Sequence, residues 1–152
     1  MLVEIEALVA PSTLASPRRN VVGWDSSRLA MLTAVLEARC GVPLSGRDIF
    51  LNVAGGLKIS ETAADLAVAA ALISSVSGRP APPRSVFFGE VALSAELRQV
   101  AQADARLKEA SKLGFDMAVM PRPRKKLAAP SGLSLAQPST LAELIEILGG
   151  VT

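Results

Sequence analysis

Residues 60–72 (SETAADLAVAAAL) open a helix with hydroxyls and carboxylates and then turn almost wholly apolar. Ser60 and Thr62 lie at the start of that helix, where the positive end of the dipole stabilises an alkoxide or oxyanion, so they are candidate nucleophiles. The same residue types cap helices, which is their far commoner use. A serine nucleophile also needs a base. The chain has no histidine, which excludes a Ser-His-Asp arrangement and leaves a desolvated, neutral lysine, with Lys58, Lys108 and Lys112 as candidates.

Other chemistries are thinner still. With one cysteine, Cys40, and no histidine, the chain lacks the ligands of a structural zinc site. Glu61, Asp65, Glu90 and Asp104 have no spacing that forces them together, so no metal is expected. No Gly-x-x-x-x-Gly-Lys-Ser/Thr occurs, and hydrolysis of ATP by this chain is not expected. Gly55-Gly56 precedes the helix, but a tight turn accounts for it better than an anion cradle.

The 152 residues suit a single domain. Half of them are hydrophobic and only 3% aromatic, so the core must be built from Ala, Val, Leu and Ile. Sixteen Lys and Arg against fourteen Asp and Glu give a net charge of +2, too little for a non-specific pull on nucleic acid. Any polyanion site must come from local clustering. A lone cysteine rules out a disulfide within the chain and fits a cytoplasmic protein. The first six residues (MLVEIE) alternate apolar and acidic, unlike a signal peptide. The most apolar stretch, residues 66–73, is too short to span a bilayer, so no membrane partner is expected.

The elements that would position these groups follow from periodicity. Residues 2–9 alternate as a strand, residues 11–17 connect, and residues 18–23 form a second, basic strand or edge. Asp25 caps a helix in which Leu29, Leu32, Leu36 and Cys40 share a face until Gly41 ends it. Residues 48–53 are a buried-type strand. Thr62 and Asp65 form a capping-box-like pair for the Ala-rich helix, which runs to about Ser77 before Gly78 and, being apolar nearly all round, belongs in the middle of the domain. Residues 85–93 and 97–100 read as paired strands about a turn at Ser94-Ala95. Ala103, Leu107 and Ala110 mark a third helix, residues 115–120 a strand, and residues 121–138 a Pro-rich basic loop with a short strand at 133–135. Thr140 and Glu143 form a capping box for a last helix over 141–148. Strands and helices are mixed, with at least one hairpin, which defines an α+β class.

Gly55-Gly56-Leu57, the Ala-rich helix, residues 88–94 (FGEVALS) and Arg106-Leu107-Lys108-Glu109-Ala110 followed by Leu113-Gly114-Phe115 resemble the proteolytic domain of Lon peptidases. In that family a serine opens the Ala-rich helix and a lysine lies on the next one. The resemblance places Ala63 at the serine position and Arg106 at the lysine position. Ala63 has no hydroxyl and Arg106 stays protonated, so the implied outcome is an inactive peptidase.

Residues 2–9, Pro17-Arg18-Arg19, Gly23-Trp24-Asp25, Arg28-Leu29-Ala30, residues 52–56 (NVAGG), residues 63–67 (AADLA) and Gly89-Glu90-Val91 further resemble the Lon-like C-terminal domain of the RadA (Sms) family of bacterial DNA-repair proteins. The likeness runs over roughly residues 2–121. It implies a Lon proteolytic-domain-like fold (ribosomal protein S5 domain 2-like), mixed sheets packed with three to four helices. Residues 1–121 would form its core, and residues 122–152, a basic Pro-rich loop and a C-terminal helix, would complete the same domain.

Whole members of that family carry an N-terminal zinc finger and a RecA-like ATPase and promote branch migration in recombination. ATP, Mg and Zn are therefore expected only in those parts, and no cofactor is expected in this chain. Met1 leading straight into the first strand is what an excised C-terminal domain, or a natural short paralogue, would show. The resemblance implies assembly into a homo-hexamer, contact with single-stranded or branched DNA, and a recombinase as a further partner.

A ring multiplies a modest charge sixfold, so a few basic residues suffice. Candidates for DNA contact are Arg18, Arg19, Arg28, Lys58, Arg98 and Arg106. Arg28 and Arg106 each open a helix, where a cation opposes the dipole. Each has an alternative as a salt-bridged surface charge, Arg106 with Asp104, Glu109 or Asp65. The run Arg122-Pro123-Arg124-Lys125-Lys126 is a DNA-binding arm or a solvated tail. Trp24 fits a core-packed residue better than a base-stacking one. A pure oligomerisation or docking scaffold, and a degenerate peptide-binding domain, are the alternative functions.

Overall fold

The computed structural model describes residues 1–151. Helix α1 (Ser26–Cys40) begins where Asp25 accepts the Ser27 N–H at 2.9 Å, and ends at Gly41, whose φ of 68° only glycine adopts freely. Its buried Leu29, Leu32 and Leu36 recur at helical spacing. Helix α2 (Asp65–Ser77) ends in the same way at Gly78 and is apolar on nearly every side. Helix α3 (Ala103–Lys112) buries Leu107 and Ala110. Helix α4 (Leu141–Ile147) is capped by Thr140, which accepts the Glu143 N–H at 3.2 Å, while the Glu143 carboxylate accepts the Ser139 N–H at 2.7 Å.

Among the described residues, eight short strands form three sheets. Strand β3 (Arg47–Val53) is central in the first, with β1 (Ile5–Pro11) antiparallel on one side and β2 (Arg19–Val22) parallel on the other. In the second, β4 (Ser85–Phe87), β7 (Met117–Val119) and β8 (Ser134–Ala136) run parallel in that order. A two-stranded ribbon pairs β5 (Glu90–Val91) with β6 (Leu97–Arg98). Four α-helices on small mixed sheets make an α+β architecture.

Leu29, Leu32 and Leu36 of α1, Leu66, Leu72 and Ile73 of α2, Ile49, Leu51 and Val53 of β3, and Leu141, Leu144 and Leu148 meet in one core. Trp24 belongs to it, 8% exposed, so its indole is packed and not offered for stacking. A smaller core gathers Phe88, Leu107, Ala118, Met120 and Leu133 beneath the second sheet.

Two expectations change. Thr62 and Asp65 do not cap α2: Thr62 lies in a separate 3-10 turn (Thr62–Ala64), and no side chain caps the helix. Asp65 is fully buried because its carboxylate is taken by Arg28 and by the Val91 N–H. Nor do residues 85–93 run as one strand. They break at Phe88-Gly89, where the Gly89 N–H donates to the Ala63 carbonyl (2.9 Å) and the Gly89 carbonyl accepts the Leu66 N–H (3.1 Å). Only Glu90–Val91 then pairs with Leu97–Arg98.

Candidate functional site

The start of α2, β4 and the start of α3 enclose an open groove of about 1070 Å3. Ala63, Arg106, Lys58, Ser60 and Glu61 all line it. The small side chains of α2 make this possible, since Ala64, Ala67 and Ala71 recur on its groove face and leave room above the helix.

Within the groove, Ala63 is 4% exposed and offers no hydroxyl. Three successive amides at the helix start are occupied: Ala64 N–H on the Glu61 carbonyl (3.3 Å), Asp65 N–H on the Thr62 carbonyl, and Leu66 N–H on the Gly89 carbonyl (3.1 Å). An oxyanion hole needs such donors unoccupied and aimed at the reacting atom. Arg106 is half-buried: its Nε donates to the Ala101 carbonyl (3.0 Å), its second nitrogen to Glu61 (2.9 Å), and its guanidinium lies 5.8 Å from the centre of the Phe88 ring. None of its three expected partners holds it. Asp104 pairs with Lys108 at 3.2 Å, Glu109 with the Met1 ammonium at 2.9 Å, and Asp65 with Arg28.

Of the candidate hydroxyls and lysines, Ser60 and Lys58 line the groove, and Thr62, Lys108 and Lys112 do not. Lys58 is exposed, the reverse of the dry setting that a neutral lysine base requires. Among the described residues, no three His, Cys, Asp or Glu are grouped to hold a metal ion. Among them, too, no helix is long and apolar enough to cross a membrane. Burial pushes the Cys40 thiol above its ordinary value.

The candidate DNA contacts divide by partner. Arg18 clamps Asp48: its main-chain N–H lies 2.7 Å, Nε 3.2 Å and a terminal nitrogen 3.0 Å from the carboxylate. That main-chain bond foremost holds the Asp48 carboxyl below the usual range. Arg28 forms a two-pronged pair with buried Asp65, Nε to Oδ1 at 2.7 Å, and this pairing raises the Arg28 pKa. Arg28 is thus engaged by a carboxylate inside the fold, with 24% of its side chain left exposed. Arg19 reaches only the Leu44 carbonyl, at 3.4 Å. Lys58 and Arg98 are exposed, and among the described residues neither takes an ion pair. Arg98 stands on the β5–β6 ribbon, outside the groove, opposite Glu90 in the ladder. Sequence reasoning missed the Arg28–Asp65 link, because Asp65 sits where a capping carboxylate is ordinary. The two remaining basic positions of the groove wall, Arg106 and Lys58, flank Glu61 from opposite directions along the chain.

An α+β domain with a groove at the start of an Ala-rich helix defines a class, and the comparisons specify it. The family described as subunit ChlI of Mg-chelatase matches residues 24–124, and the chain belongs to that family. Within it the likeness is to RadA. Over 145 residues (95% of this chain) it is 54% identical to DNA repair protein RadA of Brucella abortus. Over 148 residues (97%) it is 48% identical to DNA repair protein RadA of Pseudomonas aeruginosa and 45% to that of Haemophilus influenzae. The chain spans 31% to 33% of the length of these relatives.

Proposed function

We propose that this chain is a non-proteolytic Lon-like domain that assembles into a hexameric ring and grips DNA during recombinational repair. The similarity to DNA repair protein RadA over nearly the whole chain carries the reading. Two features of the groove agree with it: a buried Ala63 without a hydroxyl and an Arg106 fixed on Glu61. In this reading the domain works in the cytoplasm beside a recombinase. ATP, Mg and Zn chemistry, and the driving of branch migration, belong to the parts of the relatives that it does not match.

DNA would meet exposed cations, with Lys58, Arg98 and Arg19 ahead of the paired Arg18 and Arg106. Repetition around a ring raises the local potential far above what a net charge of +2 provides. A second reading, a domain that holds an extended peptide without cutting it, is favoured by the open groove between the chain start, α2 and β4.

Fluorescence anisotropy with single- and double-stranded DNA, at low and moderate salt, tests the proposal, with light scattering following assembly in the same samples. Binding that falls steeply with salt, and a Lys58→Ala/Arg98→Ala variant that loses it with assembly intact, are expected. An oligomer that ignores both DNAs at low salt would leave a scaffold.

A further inference from the structure

Residues 122–126 (RPRKK) carry four cations in five positions, and no Asp or Glu occurs between Asp116 and Glu143. Arg122, Arg124, Lys125 and Lys126 are all exposed, and among the described residues none of them takes an ion pair. A loose tail would explain this, but the loop is fastened at both ends.

Pro121 is buried, and with Pro123 it lines a small cleft together with Phe88, Val100 and Ala103. The Gln99 side-chain amide donates to the Arg122 carbonyl at 3.2 Å. Leu127 packs against the second core, as Val100 and Leu135 do. Two prolines restrict φ between these anchor points. The segment between the anchors is thereby presented outward, held by the residue that follows Arg98 in the chain, with its ordering cost met on folding and not on binding.

We propose that this staked loop is a binding site for the phosphodiester backbone of DNA, flanked by Arg98. The proposal rests on the DNA-gripping reading above and adds to it a surface outside the groove. The composition favours phosphates over other polyanionic partners. A membrane-seated basic segment needs large apolar side chains facing outward, and here the exposed positions are Arg and Lys while Leu127 faces the core. Base reading is absent as well: no Asn, Gln or aromatic residue stands within the run, and Phe88, which shares the cleft with Pro121 and Pro123, is buried. What remains is charge without sequence preference.

Anisotropy titrations of this chain at several salt concentrations, with duplex and single-stranded DNA of unrelated sequences, test the site. Arg124→Ala/Lys125→Ala/Lys126→Ala is expected to lower the slope of log K against log salt by about 0.9 per contact on duplex, about 2.7 for three. A charge-keeping variant, Arg124→Lys/Lys125→Arg/Lys126→Arg, is expected to stay within about threefold of the parent, as phosphate contacts allow. Urea unfolding followed by Trp24 fluorescence should be unchanged in both, which separates lost contacts from lost structure. Should the parent bind and the triple alanine variant keep its slope, the loop site falls and the domain's DNA grip stands. Should the parent bind neither DNA, both readings fall together.

Discussion

Replacing Arg28 by methionine separates structure from DNA contact at one residue. The Asp65 carboxylate is completely buried, and it receives Nε of Arg28 at 2.7 Å, a terminal nitrogen of the same guanidinium, and the Val91 N–H at 3.0 Å. Arg28→Met strips the charged donors and leaves a buried carboxylate with a single amide. Removing one partner of a buried pair costs about 3–5 kcal/mol. With 24% of the Arg28 side chain exposed, water relieves part of this, so about 3 kcal/mol is expected. For a domain of this size that lowers Tm by about 6–12 °C. Adding Asp65→Asn removes the orphaned charge while its side-chain oxygen still accepts from Val91, and should recover more than half of the loss. Urea unfolding of the two single variants and the double, read by the fluorescence of the lone, core-packed Trp24, completes the cycle. A loss below about 1 kcal/mol, or no recovery in the double variant, would show that the pair does not hold α1 to α2. In the DNA titration Arg28→Met should leave the salt slope unchanged. A slope lowered by about 0.9, the value of one phosphate contact, in a folded sample would restore Arg28 as a DNA ligand.

Gly89→Ala should destabilise the chain by about 2–4 kcal/mol as strain that the core must absorb, because its Cβ would stand 2.8 Å from Cδ and 2.9 Å from Cγ of Pro121. Denaturant midpoints measure this, and a change under about 0.5 kcal/mol, the ordinary range of surface substitutions, would contradict the packing. Arg84 holds the Asp116 carboxyl below its usual range through bonds of 2.7 and 2.8 Å. The depressed value means that the unfolded chain takes up the proton first, so the contribution is present above the unfolded carboxylate pKa of about 3.9 and is lost as pH falls through the folded value. The gap between parent and Arg84→Ala midpoints should therefore narrow below about pH 4, and a gap independent of pH would overturn the assignment. Ala63→Ser should remain unlabelled by a fluorophosphonate, since Arg106 cannot act as a base and the adjacent amides are occupied. Labelling of that variant would show a competent site.

Helix ends were legible because their signals are local. Asp25, Gly41, Gly78 and Thr140 each act on backbone groups within one turn, and all four sit where spacing placed them. The break at Gly89 was not. Residues 85–93 alternate well enough for one strand, and what splits them is Pro121 and the start of α2, both remote in sequence. Asp65 failed for a related reason: a carboxylate at the head of a helix reads as a cap until a distant arginine claims it.

The same argument decides how the basic residues sort. Their number and positions are plain in the sequence, but whether a cation is free depends on carboxylates far along the chain. Arg18 and Asp48 lie 30 residues apart, Arg28 and Asp65 37, Arg106 and Glu61 45. Each of these three arginines occurs in a motif that resembles the family, which made it look functional. Their partners show that shared motifs also record what the fold needs. Residues 122–126 lie outside those motifs, and no carboxylate occurs within the 26 residues between Asp116 and Glu143. A net charge of +2 therefore hides two populations: arginines paired with carboxylates of the fold, and exposed cations, Lys58, Arg98 and the staked run, left to meet an external anion. Only the second can give a salt-dependent affinity, because counterions are released from DNA by charges that the protein has not already spent.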